Sequence, residues 1–127
     1  MHEIIKTDKA PAPVGPYSQA IKVGNMLYCS GQVPINPETN EVELGTIPEQ
    51  TTLVMKNVGA VLSEAGLDYK NIVKTTIFLS DMGNFAAMNE VYATYFSENP
   101  PARSCVAVKT LPKNVDVEIE VLAVYPG

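Results

Sequence analysis

TIPEQTTLVMKNVGAVLSEAGLDYKNIVKTTIFLS, residues 46–80, contains the change of hydrophobic period on which the fold turns. Thr46 and Glu49 have the spacing of a capping box and Pro48 suits a first helical turn. Val54, Val58, Val61, Leu62 and Ala65 then recur at helical intervals until Gly66 stops the run. NIVKTTIFLS (71–80) follows, rich in β-branched residues, and reads as a strand. Downstream, a second helix is predicted over 84–97, where Phe85, Met88, Tyr92, Tyr95 and Phe96 form one stripe before Asn99-Pro100-Pro101 ends it. That aromatic stripe is taken as core packing. Strands are predicted at 103–108 and 115–125. Upstream, QAIKV (19–23) and MLYCS (26–30) flank Gly24-Asn25, the signature of a tight hairpin. The order β-α-β-α-β-β argues for an α/β sandwich with both helices on one face of a single sheet, whose other face needs cover, so oligomerisation is expected.

VDVEIEVLAV (115–124) alternates, with Asp116, Glu118 and Glu120 on one side and Val115, Val117, Ile119 and Val121 on the other. Period-two carboxylates usually face water, so a solvated acidic face competes with any functional role. NPPARSCVAV (99–108) sets a cation, Arg103, at the start of an apolar strand, either as a snorkelling surface residue or as a fixed anion receptor. If KTLPKN (109–114) closed a local hairpin, Arg103 would share a face with Glu118 or Glu120 and a salt bridge would follow. The alternative is a strand from the middle of the chain lying between the two.

Composition narrows the chemistry. The chain has 127 residues, 46% of them hydrophobic, which suits one compact domain over 1–127. Nine basic against fourteen acidic residues give a net charge of -5, opposed to the basic face that nucleic-acid binding needs. No stretch has the length of a signal peptide's apolar core or of a membrane span, so no membrane partner and a cytoplasmic address are expected. Cys29 and Cys105 are isolated thiols, expected to be reduced. The only histidine is His2, placed by its position at a mobile terminus, so a nucleophile-histidine pair lacks its base. The usual zinc and calcium ligand sets and the phosphate-cradling glycine motifs are missing too, so neither metal nor nucleotide is expected. Chemistry is left to Arg, Glu, Tyr, Ser, Cys, backbone amides and water.

GPYSQ (15–19), NMLYCSGQVPINP (25–37), NIVKTTIFLSDM (71–82), PARSCVAV (101–108) and LPKNVDVEIEVLAV (111–124) stand in the order and at the distances of the reactive-intermediate imine deaminase family, RidA or YjgF-like. The chain resembles that family over nearly its whole length. The resemblance implies an α+β fold of the Bacillus chorismate-mutase type, a single mixed sheet in β-β-β-α-β-α-β-β order with two helices on one face. It also implies a homotrimer with three pockets between subunits, and the strand at 71–80 separating the last two strands.

By the same resemblance, Arg103 holds a substrate carboxylate, a task that suits a planar guanidinium with parallel N–H groups. Glu118 handles water. Tyr17, Ser30, Gly31, Asn89 and Cys105 line the substrate, Cys105 through its backbone amide. Four of them have a plainer alternative: packing after Pro16 for Tyr17, a turn for Gly31, helix surface for Asn89, a small packed residue for Cys105. The implied reaction is hydrolysis of 2-iminobutanoate or 2-iminopropanoate to the 2-oxo acid and ammonia, with no cofactor. A non-catalytic regulator that binds 2-oxo acids is the alternative from another class. The family labels of ribonuclease and translation inhibitor meet an acidic chain without an internal histidine. One departure concerns the residue before the PAR tripeptide, often bulky in the family and here Pro100, which leaves the preferred side-chain size open.

Overall fold

The computed structural model describes residues 2–127. Its elements are β1 (His2–Ile5), β2 (Ala20–Val23), β3 (Met26–Cys29), β4 (Ile35–Asn36), β5 (Glu41–Val42), α1 (Ile47–Glu64), β6 (Ile72–Leu79), α2 (Phe85–Ala93), β7 (Ala102–Ala107) and β8 (Val117–Val124). Six strands make the main sheet in the order β1-β2-β3-β8-β6-β7, and β4 pairs with β5 in a separate ribbon. Without that ribbon, the chain order is β-β-β-α-β-α-β-β, as the resemblance implied. His2 lies in β1, paired with Val23 at the sheet's edge, rather than at a loose end. The ribbon has no strong periodic signal. It is held to α1 by Asn57, which is fully buried and whose Nδ2 donates to Val33 O at 3.1 Å and Ile35 O at 3.0 Å.

Helix α1 begins as its sequence requires. The Glu49 amide donates to Thr46 Oγ1 at 3.2 Å and the Thr46 amide donates to Glu49 Oε1 at 2.8 Å, satisfying two of the donors that every helix start leaves open. Hydrogen bonding of the Glu49 carboxyl by Thr46, through the backbone amide first and the side chain second, holds it below its ordinary range. At the other end Gly66 adopts φ 79°, the left-handed conformation that lets the Leu67 amide turn back to Leu62 O at 2.8 Å. Helix α2 is shorter than its stripe suggests. Past Ala93 the amides of Thr94, Tyr95 and Phe96 bond three residues back instead of four, so the chain tightens into a turn. Both helices cover one face, where Leu27, Val54, Met55, Leu62, Ile77 and Ile119 are almost wholly excluded from solvent.

The last two strands do not form a local hairpin. β6 runs antiparallel to β8 on one side and parallel to β7 on the other. Its Ile72, Thr75, Ile77 and Leu79 are buried, as suits a central strand whose backbone donors and acceptors are paired on both edges. The segment after β7 crosses the end of β6 instead, where the Val108 amide donates to Leu79 O and the Ser80 amide to Asp116 O. This topology decides the faces. Arg103 pairs with Thr75, and Thr75 with Val121, so the Arg103 side chain belongs to the helix-covered face. Glu118 pairs with Phe78 and belongs to the other. The shared face and the salt bridge that a local hairpin would have given are therefore absent.

Candidate functional site

The residues singled out from sequence fall into two groups on two surfaces. The first is a cleft lined by Tyr17, Gly31 and Glu118, with Val14, Gln32 and Lys113 around them. Gln32 exchanges backbone bonds with Ile119, its amide to Ile119 O at 2.9 Å and the Ile119 amide to Gln32 O at 3.1 Å, and this bridge brings Gly31 beside Glu118. Gly31 serves that approach. A β-carbon built there would overlap Glu118 Oε2 and stand 2.9 Å from its Cδ, so any larger residue would push the carboxyl out of its seat. Glu118 is half-buried, and burial first, then the Glu120 charge two residues on, raises its pKa above the ordinary carboxyl range. Its proton is thus held to higher pH than an exposed glutamate would hold it. Tyr17 reaches the cleft with its ring largely exposed. Ser30 is committed elsewhere: its Oγ donates to Ser18 O at 2.6 Å and its amide to Gln19 O at 2.9 Å, tying the loop that carries Tyr17 to the end of β3.

The second group surrounds Arg103. β7 is an edge strand, and Arg103 Nη1 donates to Asn89 Oδ1 on α2 at 2.6 Å. The guanidinium carbon also stands 5.0 Å from the centroid of the Tyr92 ring and 5.3 Å from that of Phe85. Arg103, Asn89 and Tyr92 border a shallow hollow that also includes Phe96, Pro100 and Pro101. Cys105 shares the strand face of Arg103 and packs against the core. Burial raises its thiol pKa, with Arg103 pulling weakly the other way, so it is a poor nucleophile. Its amide is better placed than its sulfur. Successive amides along a strand point to alternate sides, and since the Val108 amide turns toward β6, those of Arg103, Cys105 and Ala107 point to the open edge.

Cys29, the other thiol, lies against the core on β3, and burial pushes its pKa up to about 12. No group of three or more metal-binding side chains is gathered among the described residues. Sequence reasoning missed the aromatic faces beneath Arg103. Phe85 and Tyr92 belong to a helical stripe indistinguishable from core packing, and only the fold brings β7 over them. It also missed Lys113, whose φ of 57° turns the loop beneath the Glu118 cleft.

Residues 7–125 match the family model described as Endoribonuclease L-PSP. A RutC family protein of Pyrococcus abyssi is 54% identical over 121 residues, covering 95% of each chain. Among solved structures, the Rid protein family member YyfA of Yersinia pestis superposes with a TM-score of 0.95 at 48% identity, covering 98% of this chain and 99% of that one. TdcF of E. coli, solved with bound serine, gives a TM-score of 0.93 at 42% identity over 98% of this chain and 99% of its own. The match over most of the chain, joined to a shared sheet and a shared helix layer, establishes that this chain belongs to the endoribonuclease L-PSP family, the YjgF/RidA group that includes the RutC and Rid proteins.

Proposed function

We propose that the protein is a cofactor-independent deaminase that hydrolyses 2-iminobutanoate and 2-iminopropanoate, with their enamine tautomers, to 2-oxo acids and ammonia. The observation that carries this reading is the state of Arg103. Its partners are an amide oxygen and two aromatic faces, all neutral, so its full charge and most of its N–H groups are left for an anion. A planar carboxylate fits that fork, and the Cys105 amide on the same strand edge adds a third donor. TdcF, with its bound serine, holds a small molecule that carries such a carboxylate.

With the carboxylate anchored, Glu118 directs a water onto C2 of the imine. The water oxygen bonds to C2 while one of its protons passes through Glu118 to the nitrogen, giving a carbinolamine. The hydroxyl proton then follows by way of Glu118 to the amine as the C–N bond breaks and the C=O bond forms, releasing ammonia and the 2-oxo acid. Orientation by Arg103 and a glutamate of raised pKa are a modest apparatus, sufficient for a bond that water already hydrolyses unaided. Tyr17 and Gly31 shape the Glu118 cleft, Ser30 ties down the loop that carries Tyr17, and Asn89 steadies Arg103.

Arg103 and Glu118 lie on opposite faces of one sheet, so a pocket containing both is assembled between protomers. Contacts in which one copy's β7 side meets the next copy's Glu118 side are heterologous, and form a ring where the rotation between copies closes. Three copies are proposed. The sheet face away from the helices supports this, with Tyr28 at 53% and Val106 at 45% exposure beside half-buried Phe78 and Leu122. We take the chain as one such domain over 1–127, acting in the cytoplasm on small 2-imino acids. Among the described residues, no helix is long and apolar enough to cross a membrane.

The test is release of ammonia and pyruvate from freshly generated 2-aminoacrylate, run beside binding of 2-oxobutanoate and sedimentation of the same preparation. Turnover by a particle near three times 13.7 kDa is expected. Binding without turnover would make the protein a 2-oxo acid sensor, and full activity in a monomer would overturn the shared site.

A further inference from the structure

The aromatic residues of α2 have a use beyond filling the core. Phe85, Asn89 and Tyr92 are spaced by four and three residues, so all three stand on one helix face, and that face lies under Arg103. Tyr92 is itself anchored. Its hydroxyl shares a 2.8 Å hydrogen bond with Thr75 Oγ1, and Thr75, wholly buried on β6, is the residue paired with Arg103 across the ladder. The Tyr92 ring further packs on Phe96, with centroids 4.8 Å apart. Three contacts thus hold the ring beneath the guanidinium: a hydroxyl, a neighbouring ring and the helix.

A carboxylate at this place would also hold Arg103, but it would neutralise the charge that an anionic substrate needs. Aromatic faces attract a guanidinium while adding no net charge, and a single amide oxygen uses only one of its five N–H groups. Burial, opposed by the Thr75 bond and the Arg103 charge, raises the Tyr92 hydroxyl above its ordinary range, so the cradle stays neutral. We propose that Phe85 and Tyr92, with Thr75 fixing the latter, are positioning residues that orient Arg103 for a carboxylate ligand before it arrives. The inference rests on the deaminase reading for the identity of that ligand, not for the cradle itself.

Three substitutions separate orientation from packing. Phe85→Leu keeps apolar bulk and removes the π face, Phe85→Tyr restores a face, and Thr75→Val releases the Tyr92 hydroxyl at nearly constant volume. A cation-π contact at an exposed site corresponds to about a twofold to fivefold change in affinity. Phe85→Leu is therefore expected to weaken 2-oxobutanoate binding by that factor, with Phe85→Tyr close to wild type. Thr75→Val should raise KM for 2-iminopropanoate with kcat nearly unchanged, the pattern of lost uniform binding. Equal affinity in the leucine and tyrosine variants, with wild-type KM in Thr75→Val, would overturn the cradle. The guanidinium N–H resonances of Arg103, identified by their loss in Arg103→Lys, give a readout that needs no substrate. Slow rotation in the wild type that becomes fast in Phe85→Leu supports the cradle, and identical signals overturn it. If the wild type neither binds 2-oxobutanoate nor turns over the imine, the deaminase reading fails and these resonances alone decide the cradle.

Discussion

Replacing Arg103 by lysine is expected to lower kcat/KM for 2-iminopropanoate almost as far as replacing it by alanine, by about 10²–10⁴-fold, since two hydrogen bonds to a charged group are each worth about 1.5–3 kcal/mol. An ammonium keeps the charge but cannot present two parallel donors to a carboxylate. Nor can it lie flat on the Phe85 and Tyr92 rings and keep the bond to Asn89 that the guanidinium makes at 2.6 Å. The residue is exposed on an edge strand, so thermal stability should change little in either variant. Activity and melting temperature measured on the same samples test this. Turnover in Arg103→Lys near that of the wild type would mean that charge alone suffices.

Glu118→Gln is expected to lower kcat by about 10²–10⁴-fold, the usual contribution of a positioned acid-base group, while 2-oxobutanoate binding is retained. Glu120→Gln tests the same site through its electrostatics. Glu120 is exposed on the Glu118 face and helps to raise the Glu118 pKa, so its neutralisation should leave neutral-pH turnover almost intact and move the acidic limb of the rate profile to lower pH. The sign follows from the need for an ionised base: activity falls as pH drops through the Glu118 pKa, and lowering that pKa lowers the pH of the fall. Stability moves the other way. A carboxyl with a native pKa above its unfolded value binds more protons when folded, so its contribution is present at low pH and is lost as pH rises from the ordinary carboxyl range through the raised native value. Glu118→Gln should flatten that part of the stability profile, as pH-dependent denaturant melts would show. Equal loss of turnover in the two glutamine variants would move the water-handling role off Glu118 alone.

Local chemistry was legible where one residue type has one solution. The Thr46 and Glu49 cap, the Gly24 hairpin, the Gly66 stop and the alternation through Glu118 are of this kind, because their causes act within a few residues. Strand order was not legible from spacing. Whether 103–108 and 115–120 touch depends on β6 finding two neighbours, a global matter on which KTLPKN is silent and which the family resemblance alone supplied. With the order went the faces, and so the separation of Arg103 from Glu118. The Phe85 and Tyr92 rings show the same limit: their helical spacing is that of a core stripe, and a cation joins them only because β7 crosses above α2. The β4 and β5 ribbon is too short to carry a period, and its tether, Asn57, sits in the sequence as one of several polar residues on an amphipathic helix.

The placement of Arg103 and Glu118 on opposite sides of the sheet has a genetic consequence under the shared-site reading. A chain lacking the arginine still carries an intact glutamate side, and a chain lacking the glutamate still carries an intact arginine side. Two inactive alleles, Arg103→Ala and Glu118→Gln, would then complement each other when their products mix. In randomly assembled rings of equal parts, about one interface in four joins the intact half of each. A cell with both alleles would thus regain roughly a quarter of the wild-type sites, whereas the double substitution in one chain, mixed with itself, would regain none. Complementation between the two mutants would show that each working pocket borrows from two gene products.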